Sequence, residues 1–291
     1  MDAEPRSIDG RRVPGGGRLP DFLIIGAPRA GTTALFRALE AHPQVFVSRR
    51  KELNFFSARD FDESGIVGYS KHFAAAADGQ IAGEASPVYM SSLEAPARMG
   101  AVVPDAKLIA ILRHPVDRAW SHYWYRRLWR AEPRSFAEAV DDELEGNAPP
   151  GANYIAIGRY AEQLERIDMH FPTEALLVVV ADHFRADPTS VYRSVCRHLA
   201  ISDSGNPETL RTRVNSTQDV RSWQLAKRTA RFRDMDGVVG SAARRLRAWN
   251  RIPFEQPPLE RAIRKRLVDV FSDSNRALEG RLGVSLPGWY A

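Results

Sequence analysis

The sequence predicts a three-layer α/β fold, with a central parallel β-sheet flanked by helices. Three apolar runs carry this prediction, at residues 22–25 (FLII), 107–112 (KLIAIL) and 175–181 (ALLVVVA). None of them alternates apolar with polar residues, which is typical of strands buried on both faces of a sheet. Segments with helical spacing separate the runs, as the crossover connections of a parallel sheet require.

The first two strands lead directly into helical patterns. The run at 22–25 ends at Gly26, and a helical pattern follows over residues 33–39. The run at 107–112 is followed by a predicted helix over residues 116–130, in which aromatic residues occur around the whole circumference. The order strand, loop, helix therefore occurs twice before the third buried strand at 175–181.

Length and composition are those of a globular protein. The chain has 291 residues, of which 44% are hydrophobic and 26% charged. This excludes disordered, collagen-like and disulfide-stapled classes. Residues 1–19 contain four Gly, two Pro and four Arg without a hydrophobic period, so we expect a flexible N-terminal tail there. We expect residues 20–291 to form one domain.

Charge and cysteine content limit the cellular locations and the binding partners that we expect for the protein. The net charge is +5, and only five of the 41 basic side chains are lysines. Arginine suits phosphate or sulfate oxygens, but a coding bias explains the excess equally well. The one cysteine, Cys196, excludes an intrachain disulfide. No apolar run approaches the roughly 18 residues of a membrane span, so we expect a cytoplasmic protein without one.

The segment 26–33 (GAPRAGTT) has the features of a phosphate-binding loop. It connects a strand to a helix, so backbone N–H groups and the positive end of the helix dipole face an anion there. The spacing G-x-x-x-x-G is that of a Walker A loop, but Thr32 occupies the position of the Walker lysine. The cation is Arg29, inside the loop. This P-loop-like arrangement favours a 5′-phosphate with a group attached.

A second anion site is predicted at the next strand-to-helix turn. Arg113 follows the strand at 107–112, and Ser121 lies eight residues later, two turns into the following helix. Together they can bind one phosphate from two sides.

These two segments resemble the sulfotransferases that use 3′-phosphoadenosine 5′-phosphosulfate (PAPS). Their loop for the 5′-phosphosulfate reads P-K-x-G-T-T, and their 3′-phosphate site pairs an Arg with a Ser eight residues on. Residues 51–56 (KELNFF) resemble K-E-x-H-F-F of the heparan-type branch, in which the Glu is the base. Residues 83–89 (GEASPVY) and 282–289 resemble two further segments, so the similarity covers residues 20–290.

The resemblance implies PAPS as the donor, without a metal. The residues implied to bind the donor are Arg29, Ala30, Gly31, Thr32, Thr33, Arg113 and Ser121. Glu52 is implied to be the general base, and Arg29 also stabilises the leaving phosphate. By the same analogy, Glu84 and Tyr89 line the acceptor cleft, with buried structural roles as the alternative. His122, next to Ser121, faces the acceptor or is structural.

Two residues depart from the family pattern. Arg29 replaces the usual lysine and keeps its charge, but its fork is bulkier and less able to transfer a proton. Asn54 replaces the usual histidine, so a mechanism that needs a histidine there does not transfer. An alternative interpretation of Glu52 is a surface carboxylate that pairs with Lys51 or Arg50.

The acceptor is expected to carry a hydroxyl on a carbohydrate, glycolipid or glycosylated metabolite, with a phenolic or alkyl hydroxyl of a secondary metabolite as the alternative. Two other functions stay open at this point. One is a P-loop kinase or NTPase, against which the missing Walker lysine argues. The other is a non-catalytic polyanion-binding protein that uses residues 221–251, a segment with nine basic residues and only two aspartates. We expect no nucleic-acid partner, and the sequence does not predict the oligomeric state.

Overall fold

A computed structural model describes residues 12–13, 17–204, 218–230, 232 and 237–291. Its strands are β1 (Arg12–Val13), β2 (Gly17–Arg18), β3 (Phe22–Gly26), β4 (Val45–Val47), β5 (Ile81–Ala85), β6 (Lys107–Leu112), β7 (Leu176–Val180), β8 (Gln218–Val220) and β9 (Arg251–Pro253). Its α-helices are α1 (Thr32–Glu40), α2 (Ile66–Ser70), α3 (Ala95–Val102), α4 (Pro115–Leu128), α5 (Phe136–Leu144), α6 (Tyr160–Asp168), α7 (Ala181–Ala186), α8 (Pro188–Leu199), α9 (Trp223–Ala230), α10 (Gly237–Asn250) and α11 (Arg261–Leu282).

The centre of the fold is a five-stranded sheet in the order β4-β5-β3-β6-β7. All neighbouring strands in it are parallel, and Leu23 of β3 pairs with Glu84 on one side and Leu108 on the other. The predicted central parallel sheet flanked by helices is confirmed. Because the strands are parallel, the segments that follow β3, β4, β5 and β6 all emerge at one edge of the sheet.

Two strands of the sheet have no clear sequence signal. β4 has only three residues, and β5 reads IAGEA, in which Gly83 and Glu84 interrupt the apolar pattern. Gly83 is needed where β5 packs beside β3, because a Cβ atom at this position would lie 2.4 Å from the Phe22 ring. The two strands therefore differ from the continuous apolar runs by which buried strands are recognised.

The predicted helices are found close to their expected positions. The helix expected over residues 33–39 is α1, and the one expected over 116–130 is α4. Pro115 occupies the first turn of α4, where its missing N–H is not needed. The His114 side chain caps the same end by accepting a 3.2 Å hydrogen bond from Val116 N–H. Arg113 directly precedes this cap.

Residues 1–19, the predicted tail, lie largely outside the described residues. Within that stretch, β1 and β2 form an antiparallel pair in which Val13 faces Gly17. Arg18 Nη2 donates to Asp21 Oδ2 at 2.7 Å, which ties β2 to the start of β3. The boundary of the tail stays a prediction.

The basic segment 221–251 contains α9 and α10, as its helical pattern predicts, although residues 231 and 233–236 lie outside the described part. Trp223 of this segment packs against Trp129 at the end of α4, with ring centroids 5.3 Å apart. Just after the segment, Phe254 packs against Trp124 of α4, with ring centroids 5.0 Å apart. These contacts cover part of the aromatic surface of α4. In the described part of the chain, no helix combines the length and apolar character needed to cross a bilayer.

Candidate active site

The loop between β3 and α1 lies at the carboxyl edge of the sheet. Ala27 N–H donates to the Ile111 carbonyl of β6 at 2.7 Å, and Ala30 N–H closes a turn onto the Ala27 carbonyl at 3.1 Å. Gly31 precedes α1 with φ of 112°, a conformation that favours glycine. The first N–H groups of α1, which begins at Thr32, have no partner within the helix. The loop thus has the geometry of an anion site.

Arg29 is the cation of this loop. Its Nε donates to Ser121 Oγ at 3.2 Å, and its guanidinium carbon lies 5.1 Å from the centroid of the Tyr125 ring. Burial lowers the pKa of Arg29 below its ordinary value, although the group remains a cation. Both contacts come from α4, so the second predicted anion site orients the cation of the first.

Arg113 lies beside the same loop. Its Nη1 donates to the Arg29 carbonyl at 3.4 Å, and the Tyr160 hydroxyl donates to the Arg113 carbonyl at 2.8 Å. The Nε of Arg113 is buried without a hydrogen-bond partner. Burial also lowers the pKa of Arg113, with Asp117 opposing the shift. A buried N–H donor without a protein acceptor fits an anion site, because an anion would supply the acceptor.

Glu52 lies on the segment that follows β4 and reaches the carboxyl end of β5. Its N–H donates to the Ala85 carbonyl at 3.0 Å, and its φ of 64° is in the left-handed region. The side chain is 54% exposed, and Oε1 lies 2.7 Å from Lys51 Nζ. This is the pair expected in the alternative interpretation. Burial lowers the pKa of Arg29, and the Glu52 charge opposes part of that shift by Coulomb attraction, so the two charges interact across the site.

Glu84 and Tyr89 are both fully buried, which matches the alternative of buried structural roles rather than a place in the acceptor cleft. Glu84 lies on β5, which is inside the sheet between β4 and β3, and Tyr89 follows that strand. The Tyr89 hydroxyl donates to Glu84 Oε1 at 2.6 Å. Burial raises the pKa of Glu84, against the effect of the hydrogen bonds that it accepts.

His122 lies on α4, half-buried next to Ser121. Burial lowers its pKa to about 3, and the neighbouring charges of Arg118, Arg126 and Arg29 act in the same direction. Its Nδ1 is buried without a hydrogen-bond partner. The imidazole is therefore neutral near neutral pH, which excludes it as a proton donor there. Its contact with an acceptor stays a prediction.

Three contributors to the site were not predicted. Ser86 accepts from the Asn54 N–H at 3.0 Å, and Tyr160 holds the Arg113 carbonyl. Arg118 is fully buried one turn before His122, and its Nη2 donates to the Tyr154 carbonyl. The partners are far apart in sequence, so no local pattern reveals them. Within the described ranges, no group of three or more His, Cys, Asp or Glu residues is placed to hold a metal ion.

Comparison with known proteins decides the family. A profile of the sulfotransferase domain matches residues 19–237, which is more than half of the chain. The chain belongs to the sulfotransferase family. The resemblance read from residues 26–33, 113–121 and 51–56 is thereby confirmed for this sulfotransferase-family protein.

The protein is similar to two curated human proteins. It is 35% identical over 175 residues to heparan sulfate glucosamine 3-O-sulfotransferase 3B1, covering 60% of this chain and 44% of that protein. It is 31% identical over 198 residues to bifunctional heparan sulfate N-deacetylase/N-sulfotransferase 3, covering 63% of this chain and 22% of that protein. The chain therefore spans less than half the length of these relatives.

A solved bacterial structure matches nearly the whole chain of this sulfotransferase-family protein. The sulfotransferase from Alicyclobacillus acidocaldarius has a TM-score of 0.69 and 27% sequence identity, over 94% of this chain and 99% of that chain. The structural similarity therefore extends beyond residue 237 of this chain, where the match to the family profile ends.

Proposed function

We propose that this protein transfers a sulfuryl group from PAPS to a hydroxyl group of an acceptor. One observation supports the proposal above the others: the two predicted anion sites are adjacent. Arg113 donates to the Arg29 carbonyl, and Arg29 donates to the Ser121 hydroxyl. A nucleotide with anionic groups on both its 5′ and 3′ positions matches two neighbouring sites better than a linear triphosphate does.

The residues present fit this donor. The 5′-phosphosulfate is assigned to the N–H groups of the loop, the Arg29 guanidinium and the hydroxyls of Thr32 and Thr33. The 3′-phosphate is assigned to Arg113 and Ser121, where the buried Arg113 Nε has no acceptor of its own. The donor supplies the sulfuryl group when bound. The protein binds and orients it.

The reaction is an in-line displacement at sulfur. A bond forms between the acceptor oxygen and sulfur, while the bond from sulfur to the 5′-phosphate oxygen breaks, giving a sulfate ester and 3′-phosphoadenosine 5′-phosphate (PAP). Glu52 accepts the proton of the acceptor hydroxyl. Because Lys51 contacts Oε1, we assign this proton to Oε2. Arg29 and the N–H groups of the loop stabilise the charge that develops on the leaving phosphate. The proposed step uses no metal.

The acceptor is proposed to be a carbohydrate or a glycosylated molecule. Two observations support this class. The names of both human relatives contain heparan sulfate. Residues 51–56 also resemble the heparan-type branch. Tyr125 is 43% exposed beside Arg29 and offers a ring face for stacking on a sugar. A phenolic or alkyl hydroxyl is the alternative. We also propose that the protein works in the cytoplasm, in line with its single cysteine, Cys196.

Transfer of radiolabelled sulfate tests the proposed function. The protein is incubated with ³⁵S-labelled PAPS and EDTA, in parallel with heparan-type oligosaccharides and with simple phenols. Labelled oligosaccharide, with PAP as the second product, is the expected result. Labelled phenol alone supports the transferase and rejects the carbohydrate. Phosphate transfer from magnesium-ATP, with no sulfate transfer, would show that the protein is a kinase.

A further inference from the structure

The segment that carries Glu52 is held on the end of β5 by two of its N–H groups. Glu52 N–H donates to the Ala85 carbonyl at 3.0 Å. Asn54 N–H donates to Ser86 Oγ at 3.0 Å. The first acceptor is a backbone carbonyl, and the second is a side chain.

Glu84 is the centre of this arrangement. Its Oε1 accepts from the Tyr69 hydroxyl at 3.1 Å and from the Tyr89 hydroxyl at 2.6 Å. Its Oε2 accepts from the Ser86 hydroxyl at 2.7 Å. We call these four residues the Glu84 cluster. The carboxyl group of Glu84 thus accepts from three hydroxyl donors, which fixes the orientation of the Ser86 hydroxyl.

The Glu84 cluster has no solvent-exposed carboxylate. Glu84, Ser86 and Tyr89 are fully buried, and Tyr69 is 3% exposed. The Glu84 carboxyl group is therefore closed off from a substrate by the residues around it. Any influence that it has on the reaction passes through the segment on which Glu52 lies.

The backbone of that segment needs such support. Glu52 has φ of 64° and Asn54 has φ of 56°, so two non-glycine residues adopt the left-handed conformation two positions apart. This conformation is unfavourable for residues with a Cβ atom and persists where surrounding contacts over-determine it. The hydrogen bond from Asn54 N–H to Ser86 of the Glu84 cluster is a contact of this kind.

We propose that Glu84 is a positioning residue, which directs the Glu52 carboxylate toward the acceptor by fixing residues 52–54 through Ser86. This role rests on the proposed function, in which Glu52 is the base. Loss of the carboxylate frees the Ser86 hydroxyl to rotate away from Asn54 N–H. The segment then relaxes from its left-handed conformation, and the Glu52 side chain changes direction.

The variant Glu84→Gln tests the proposal, because it preserves shape while placing an NH₂ donor against hydroxyl donors. We expect kcat to fall about 10- to 100-fold, as for a misplaced catalytic group. The affinity for PAP stays within about twofold, because the donor site is untouched. Ser86→Ala keeps the carboxylate but removes the link to Asn54, and it lowers kcat in the same direction.

A double-mutant cycle separates positioning from a general loss of stability. If Glu84 acts through Glu52, adding Glu84→Gln to Glu52→Gln causes no further loss of the residual rate. Glu132→Gln is the matched control. Glu132 is also a buried carboxylate, 2% exposed, and accepts from the Tyr154 hydroxyl at 2.7 Å. This control loses stability but keeps kcat.

Two results would overturn the role of Glu84. One is an unchanged kcat in Glu84→Gln or in a folded Ser86→Ala. The other is an additive loss in the double mutant. If the wild type transfers no sulfate, the proposed function fails and this role fails with it. A wild type that transfers sulfate beside an equally active Glu84→Gln rejects the role of Glu84 alone.

Discussion

The Nε of Arg29 donates to the Oγ of Ser121 over 3.2 Å, although the two residues are 92 positions apart in the chain. Arg29 belongs to the loop after β3, and Ser121 belongs to α4, which follows β6. Each was predicted in a different anion site. The hydrogen bond joins the two predicted sites, so the hydroxyl that we assign to the 3′-phosphate also orients the cation that we assign to the 5′-phosphosulfate.

Replacement of Arg29 separates the need for charge from the need for its planar fork. Arg29→Ala removes the cation that we propose stabilises the leaving phosphate, and we expect kcat to fall on the order of 10²- to 10³-fold. Arg29→Lys restores the residue usual in the family and keeps most of the rate. Initial rates at saturating donor measure both. An alanine variant as fast as the lysine variant would contradict the role of the charge.

Replacement of Glu52 tests the assignment of the base. We expect Glu52→Gln to lower kcat on the order of 10²- to 10⁴-fold, because the amide cannot accept the proton. Its affinity for PAP stays near that of the wild type, as measured by calorimetry. Glu165→Gln, an exposed carboxylate variant on α6, is the control and keeps full activity. Substantial turnover by Glu52→Gln would leave Glu52 as only a surface partner of Lys51.

The fall of folding stability at acid pH reports on the lowered pKa of His122. The unfolded imidazole takes up a proton below about pH 6.5, whereas the folded one has a pKa of about 3. The unfolded state therefore binds more protons in this window, and stability falls as the pH drops through it. Between pH 6.5 and 5, we expect the unfolding free energy of His122→Gln to fall by up to about 2 kcal/mol less than that of the wild type. Urea unfolding at the two pH values measures this difference. Equal losses in variant and wild type would contradict the lowered pKa.

The packing of β5 against β3 predicts a large effect at a small residue. In Gly83→Ala the added Cβ lies 2.4 Å from the Phe22 ring, so either the ring or the strand must move. We expect a loss of unfolding free energy of about 1–3 kcal/mol. Gly68→Ala, in α2, is the matched control, since an added Cβ there meets no atom within 4 Å. A melting temperature of Gly83→Ala equal to that of the control would show that the sheet tolerates the methyl group.

The parts of the fold with a continuous pattern could be predicted. β3, β6 and β7 are apolar runs, and the loops after β3 and β6 have fixed spacings that indicate anion binding. β4 and β5 could not be predicted from the sequence. β4 has only three residues, which is too short to show a hydrophobic pattern, and Gly83 and Glu84 interrupt the apolar run of β5. The sheet order also depends on packing between segments distant in sequence.

Whether a side chain faces the core or the site was harder to predict than whether its residue lies near the site. Glu84 occurs in a segment that resembles a family signature, but the sequence does not show that its carboxylate turns into the core under Glu52. The contact of Arg29 with Tyr125 likewise depends on how α4 crosses the loop. Both depend on tertiary packing, and residue spacing carries no information about it.

Binding of PAP compared with ATP tests the central claim most directly. Calorimetry without magnesium compares the two nucleotides on the wild type and on Arg113→Ala, because the 3′-phosphate distinguishes PAP from ATP. We predict tight binding of PAP, weak binding of ATP, and a loss of about 2 kcal/mol or more of PAP binding in Arg113→Ala. Preference for ATP, or PAP binding that is unchanged in Arg113→Ala, would contradict the account of the site.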